Sequence, residues 1–271
     1  MRKPLLIASD VDGTLIDDEY QVGARNIAAI TAAVADGVPF VLCTGRPPRW
    51  IAQVTDQLGH APIAVCANGA VVFDSATDRV LSAHTLNPDD LGHLAELIRS
   101  AIPGAALAAE RIDLGAEGGL AMQFATAPGY EHAWENPQNI EVSVADLVTM
   151  PAVKLLVRMP GARSADMRDA LTPLIGDRAD LTFSTDNGLI EIAAHGVTKA
   201  TGLAGVAREL GMLEDDVIAF GDMPNDIPML GWAWHGVAMA NAHAELAAVA
   251  DEVTGSNNDS GVALVLERWW G

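Results

Sequence analysis

LLIASDVDGTL, residues 5–15, decides how this chain is read. Residues 5–8 form a short apolar run between Pro4 and the first acid, with no polar alternation. That is the pattern of a strand buried on both faces of a parallel sheet. Asp10 and Asp12 stand one residue apart just past its end, where ligands bind in a doubly wound sheet. Two carboxylates so close repel each other, and a cation would offset the repulsion. Gly13 lets the backbone turn away sharply. A solvated acidic turn or an aspartate helix cap is the plainer alternative at this point.

Working outward, residues 24–34 carry Ile27, Ile30 and Val34 at helical spacing and stop at Gly37. Residues 39–43 read as a second strand. Pro47 and Pro48 open a helix with Ile51, Val54 and Leu58 on one face, ended by Gly59. Residues 63–66 read as a third strand. This alternation predicts an α/β fold with a doubly wound, mostly parallel, Rossmann-like sheet.

The pattern then changes. Residues 71–73 and 80–86 resemble strands joined by a polar turn, and Asn87-Pro88-Asp89-Asp90 is a helix start. Strand-like runs follow at 120–125, 153–159 and 181–184. Among them lies a helix capped by Ser164, with Met167, Ala170, Leu171 and Leu174 on one face. We read residues 83–188 as an inserted α+β domain and residues 1–82 plus 189–271 as the core. The core resumes with a strand at 189–193. A helix capped by Thr198 then buries Leu203, Val206, Ala207 and Leu210. A strand at 217–220 runs into Gly221-Asp222. Short strands near 236–239 and 253 and a helix from 261 close the chain.

Half of the 271 residues are hydrophobic and only 5% are aromatic, as small side chains packed on a buried sheet require. The formal charge of −20 repels nucleic acid and anionic lipid alike, so neither is an expected partner. It would also repel a small anionic substrate unless a cation or local donors reverse the field. Cys43 and Cys66 each end an apolar run and read as buried reduced thiols, which fits a reducing cytoplasm. The first apolar run is too short for a signal peptide, and no run reaches membrane-spanning length.

Three further stretches carry chemistry. Thr44-Gly45-Arg46-Pro47 puts a hydroxyl and helix-start N–H groups at a strand end, which suits a phosphate oxygen. Gly196-Val197-Thr198-Lys199 puts a lysine in the first turn of a helix, a poor place for a cation unless an anion is near. Gly221-Asp222-Met223-Pro224-Asn225-Asp226 adds two carboxylates and an amide past another strand. Singly, Thr44 reads equally as a cap, Lys199 as a solvated lysine and Asp222 to Asp226 as a helix-initiating turn. Their joint placement at strand ends converges on one spot.

With these motifs the sequence resembles the haloacid dehalogenase superfamily, in its Cof-type, class IIB cap branch of phosphatases. The carriers are DVDGTL at 10–15, TGRP at 44–47, Lys199 in GVTKATGL, and GDMPNDIPML at 221–230; CANGA at 66–70 and NNDSGVA at 257–263 also match. The resemblance spans the whole chain, though the insert matches only in length and place. It implies Asp10 as nucleophile, forming an aspartyl-phosphate, and Asp12 as general acid and then base. It implies Mg²⁺ held by Asp10, the Asp12 backbone carbonyl and Asp222. Asp226 would stand behind them, and Thr44, Gly45, Lys199 and Asn225 would bind phosphate. The implied partner is a small phosphorylated metabolite such as a sugar phosphate. A phosphomutase and a non-catalytic sugar-phosphate binding protein remain open alternatives, and the oligomeric state is unread. Tyr130 and Trp134 in the insert are candidate ring-stacking residues, Arg46 either reaches substrate or pairs with a core carboxylate, and His195 reads as structural or solvated.

Overall fold

The computed structural model describes residues 2–113, 121–132 and 139–271. In chain order its elements are β1 (Leu6–Ser9), α1 (Ala24–Ala35), β2 (Phe40–Cys43), α2 (Ala52–Leu58), β3 (Ile63–Cys66), β4 (Val71–Asp74), β5 (Arg79–Ala83), α3 (Pro88–Ala101), β6 (Ala106–Asp113), β7 (Ala121–Thr126), β8 (Asn139–Glu141), α4 (Val144–Leu147), β9 (Lys154–Arg158), α5 (Ser164–Ile175), β10 (Ala179–Thr182), β11 (Leu189–Ala194), α6 (Lys199–Glu209), β12 (Val217–Gly221), α7 (Ile227–Trp232), β13 (His235–Ala238), α8 (Ala244–Ala247), β14 (Glu252–Val253) and α9 (Gly261–Trp270).

The chain divides into two compact units, residues 1–81 with 198–271 and residues 82–197. The first holds a sheet in the order β14-β13-β12-β1-β2-β3-β4-β5. It is parallel from β14 to β3, and β4 runs antiparallel to β3. Every residue of β1, β2 and β12 is buried, which explains why these strands are unbroken apolar runs in the sequence. Leu6, Ala8, Val41, Cys43 and Ala219 pack with Leu203 and Val206 of α6 and Met229 of α7. α1 and α9 pack against each other. Buried Asn26 ties that pair to the loop after β1: its Nδ2 donates to the Leu15 carbonyl, and its Oδ1 accepts from Ala263 N. Strand order reverses between β1 and β12, and in doubly wound sheets ligands bind at the carboxyl ends of the strands beside such a reversal.

The second unit holds a sheet in the order β10-β11-β9-β6-β7-β8, antiparallel except for the β7–β8 pair. α3 and α5 pack together, and α5 lies on β10 and β11. Here the structure moves one boundary. The strand at 189–193 was assigned to the core, with the return at residue 189. As β11 it hydrogen-bonds to β9 and β10 instead, and the chain re-enters the first unit at Thr198. An apolar run shows that a strand is buried but not which sheet buries it.

α5 also differs from expectation. Its buried stripe is Ser164, Met167, Leu171 and Ile175, while Leu174 is exposed. The Ser164 hydroxyl does not cap the helix; it donates to the Thr185 carbonyl and accepts from the Gly188 and Leu189 amides. Among the described residues no helix is long and apolar enough to cross a membrane.

Candidate active site

The four motifs meet in the first unit. Asp10 follows β1, Thr44 follows β2, Asp222 follows β12, and Lys199 opens α6. The Lys199 ammonium is fully buried and donates to Asp10 Oδ1 at 2.5 Å and to Asp226 Oδ1 at 2.7 Å. Burial weakens its hold on the proton, but the two carboxylates outweigh burial and hold Lys199 above the ordinary lysine range. The lysine in a helix's first turn is thus explained by the anions it faces. Thr198 supplies the cap, accepting from Thr201 N, so the helix needs nothing from Lys199 itself.

Asp222 is positioned by three contacts. Its Oδ1 accepts from Thr14 Oγ1 at 3.1 Å, its carbonyl accepts from His243 N, and its amide donates to Asp226 Oδ2. Asp226 Oδ2 also accepts from Met223 N at 3.1 Å. Gly13 is required here: at φ +76° it passes so close that a Cβ would lie 2.2 Å from Asp222 Oδ2.

Oxygens of Asp10, Asp222 and Asp226 lie within 4.8 Å of one another, all three residues buried. Three carboxylates with one lysine leave an excess of negative charge out of water, and hard oxygen donors at this spacing fit a small divalent cation. Asp226, expected to stand behind the metal, therefore contributes an oxygen to the cluster. The Asp12 carboxylate is outside it: half-exposed, at 51% for the side chain, it is held bidentate by Arg46 Nε at 2.8 Å and Nη2 at 2.6 Å. Of the two roles open to Arg46, the structure shows the carboxylate pairing.

Burial pushes the Asp10 carboxyl up to about 7; Lys199 opposes this, while Asp226 and Asp12 add to it. Burial pushes Asp222 up to about 9, reinforced by Asp10 and Asp226 and opposed by Lys199 and Thr14. Both folded-state values lie above the ordinary 3.8. The cation-free fold is therefore favoured when these acids are protonated, and that contribution is lost as pH rises through about 7 and then about 9. Chelator-treated protein is expected to lose on the order of 5 °C of Tm between about pH 6 and about pH 9. Saturating Mg²⁺ should remove most of that loss. Superimposable melting curves with and without the ion across this range would contradict the charge excess.

The remaining candidates divide. Thr44 is fully buried and its Oγ1 accepts from Arg46 N at 3.0 Å; Gly45 is half-buried in the same turn. Asn225 is buried and its Nδ2 donates to Asn68 Oδ1 at 3.1 Å. Sequence reasoning gave Asn68 no role, although an Asn-Gly pair at a strand end signals a left-handed turn. His195 pairs with Asp180 in the second unit. Tyr130 packs on the Ala108, Phe124, Leu156 and Leu189 cluster, its ring edge-on to Phe124. Trp134 lies outside the described residues. Burial drives the Cys43 thiol far up, so it offers no thiolate nucleophile.

A family model described as haloacid dehalogenase-like hydrolase matches residues 7–266. The YxeH protein of Bacillus subtilis, named as a candidate phosphatase, is 31% identical over 268 residues, covering 95% of each chain. The 5-amino-6-(5-phospho-D-ribitylamino)uracil phosphatase YcsE of the same organism is 28% identical, covering 97% of this chain and 95% of its own. The crystal structure of SMU.1108c from Streptococcus mutans superposes with a TM-score of 0.82 at 23% identity, covering 98% of this chain and 99% of that one.

Proposed function

Since the chain belongs to the haloacid dehalogenase-like hydrolase family, we propose that it is a Mg²⁺-dependent phosphatase of small phosphorylated metabolites, acting through an aspartyl-phosphate on Asp10. The observation that carries this reading is the buried group of Asp10, Asp222 and Asp226, two of which, Asp10 and Asp226, are bound to buried Lys199. Mg²⁺ would be held by Asp10 and Asp222, with Asp226 beside them and the Asp12 backbone carbonyl as a further donor. When bound, it would neutralise the carboxylates and the phosphate charge that otherwise repel each other.

The chain's own groups account for the rest. Lys199 engages Asp10 Oδ1, leaving Oδ2 to attack phosphorus. As the Asp10–phosphorus bond forms, the bond to the leaving alcohol breaks and Asp12 gives that oxygen its proton. Asp12 then takes a proton from water as the water attacks phosphorus. Inorganic phosphate leaves and Asp10 is restored. Lys199, Thr44, the Gly45 turn and Asn225 stabilise the transferring oxygens, and phosphoryl transfer needs little beyond such positioning and charge. Arg46 holds the Asp12 carboxylate before substrate arrives, and Asp12 takes from solvent the proton it donates as that pairing opens. The unit of residues 82–197 would select which phosphate ester is used, for which a phosphorylated sugar or sugar alcohol, as in the relative acting on a phosphoribityl compound, is the leading class. Buried Cys43 and Cys66 form no disulfide, which suits a reducing compartment such as the cytoplasm.

A screen of phosphorylated metabolites for phosphate release, with and without chelator, tests this reading. Release that needs Mg²⁺ supports it; an isomerised sugar phosphate with little free phosphate would favour a mutase instead. Within that screen Asp12→Ala should lose about 10²- to 10⁴-fold on alkyl phosphates and much less on aryl phosphates, whose leaving groups need no proton. Equal losses on both would remove Asp12 as the acid.

A further inference from the structure

Between β3 and β4 the chain passes through Ala67, Asn68 and Gly69 with successive φ angles of 50°, 57° and 103°. Left-handed backbone is disfavoured for L-residues, and asparagine tolerates it best among those with a side chain. Such a loop persists only where its surroundings over-determine it. Here they do. Ala67 N donates to the Arg46 carbonyl at 2.9 Å and Asn68 N to the Thr44 carbonyl at 3.0 Å. Gly69 lies so close to the start of α6 that a Cβ would sit 2.0 Å from the Thr198 carbonyl oxygen. The buried Asn68 side chain completes the set, its Oδ1 accepting from Asn225 Nδ2. One loop thus touches the turn of Thr44, the residue before Lys199, and Asn225.

Asn225 Oδ1 is buried with no hydrogen-bond partner among the described residues. A buried acceptor without a donor is costly, which points to a water or hydroxyl filling that place in the working enzyme. With its nitrogen tied to Asn68, the Asn225 amide has its carbonyl aimed in a fixed direction.

We propose that Asn68 is a positioning residue for the reaction: by accepting one Asn225 N–H it fixes that amide, so that the second N–H serves a transferring oxygen and the carbonyl accepts from a water or hydroxyl, while its loop sets Thr44 and Lys199 about the same point. This rests on the phosphatase reading and deepens it. Asn68→Gly is the informative variant, because glycine adopts φ near 57° without strain and only the side chain is lost. With p-nitrophenyl phosphate and Mg²⁺, Asn68→Gly is expected to lower kcat about 10- to 100-fold with little change in KM. In an Asn225→Ala background the same change should cost less than about twofold. An equal cost in both backgrounds, or no cost, overturns the proposal. A second readout does not need turnover: the Asn225 side-chain NH₂ signals, assigned by their loss in Asn225→Ala, should be protected from exchange and lose protection in Asn68→Gly. Unchanged protection also overturns it. If the unsubstituted protein releases no phosphate, the phosphatase reading falls and the NH₂ signals alone decide for or against Asn68.

Discussion

Asp10→Asn is expected to reduce phosphate release by on the order of 10⁴-fold or more while the protein stays folded. The amide nitrogen and oxygen cannot replace a carboxylate oxygen attacking phosphorus. The fold should tolerate the change because the surroundings of Asp10 on balance disfavour its charge: burial, Asp226 and Asp12 together outweigh Lys199. A neutral side chain of the same shape removes that penalty. The cation-free variant should therefore melt no lower than the unsubstituted protein above about pH 7, and Mg²⁺ should stabilise it less. Calorimetry with and without the ion, beside a phosphate-release assay, reads both effects. A variant with substantial turnover would reject Asp10 as nucleophile. One that fails to fold would show that the lysine contact outweighs the repulsion.

Lys199→Met is expected to be damaging in both respects. Its ammonium is the buried partner of Asp10 and Asp226, so a hydrocarbon of similar length leaves those carboxylates uncompensated. Breaking a buried pair from one side costs about 3–5 kcal/mol. The loss should be largest without a divalent cation and at high pH, where the acids must ionise. With Mg²⁺ present enough folded protein should remain for kinetics, and kcat should be down about 10²- to 10³-fold for want of one charge on the transferring group. Melting behaviour identical to the unsubstituted protein in chelator would mean that Lys199 does not balance the acidic cluster.

Much of this was legible in the sequence because the core strands are buried on both faces and are followed at once by their functional residues. β1 leads into Asp10, β2 into Thr44 and β12 into Asp222, so an apolar run ending in a polar residue gives both the element and the site. The lysine at the start of α6 was readable from helix electrostatics taken together with the other strand-end motifs. Other features were not. β11 has the composition of a core strand, and only its pairing with β9 and β10 assigns it to the second unit. The Arg46–Asp12 pair joins residues 34 apart in sequence, and the Asn68–Asn225 bond joins residues 157 apart. Both depend on loop conformations that local spacing does not encode. The resemblance implies a supporting place for Asp226, yet one 3₁₀ turn at residues 224–226 brings it back to the same point as Asp222.

The account turns on a bond between Asp10 and phosphorus. Borohydride added during turnover reduces an acyl phosphate to an alcohol, so peptide mapping by mass spectrometry should find homoserine at position 10, dependent on both substrate and Mg²⁺. Phosphate release at full rate with Asp10 unmodified, or reduction at Asp12, Asp222 or Asp226 instead, would contradict it.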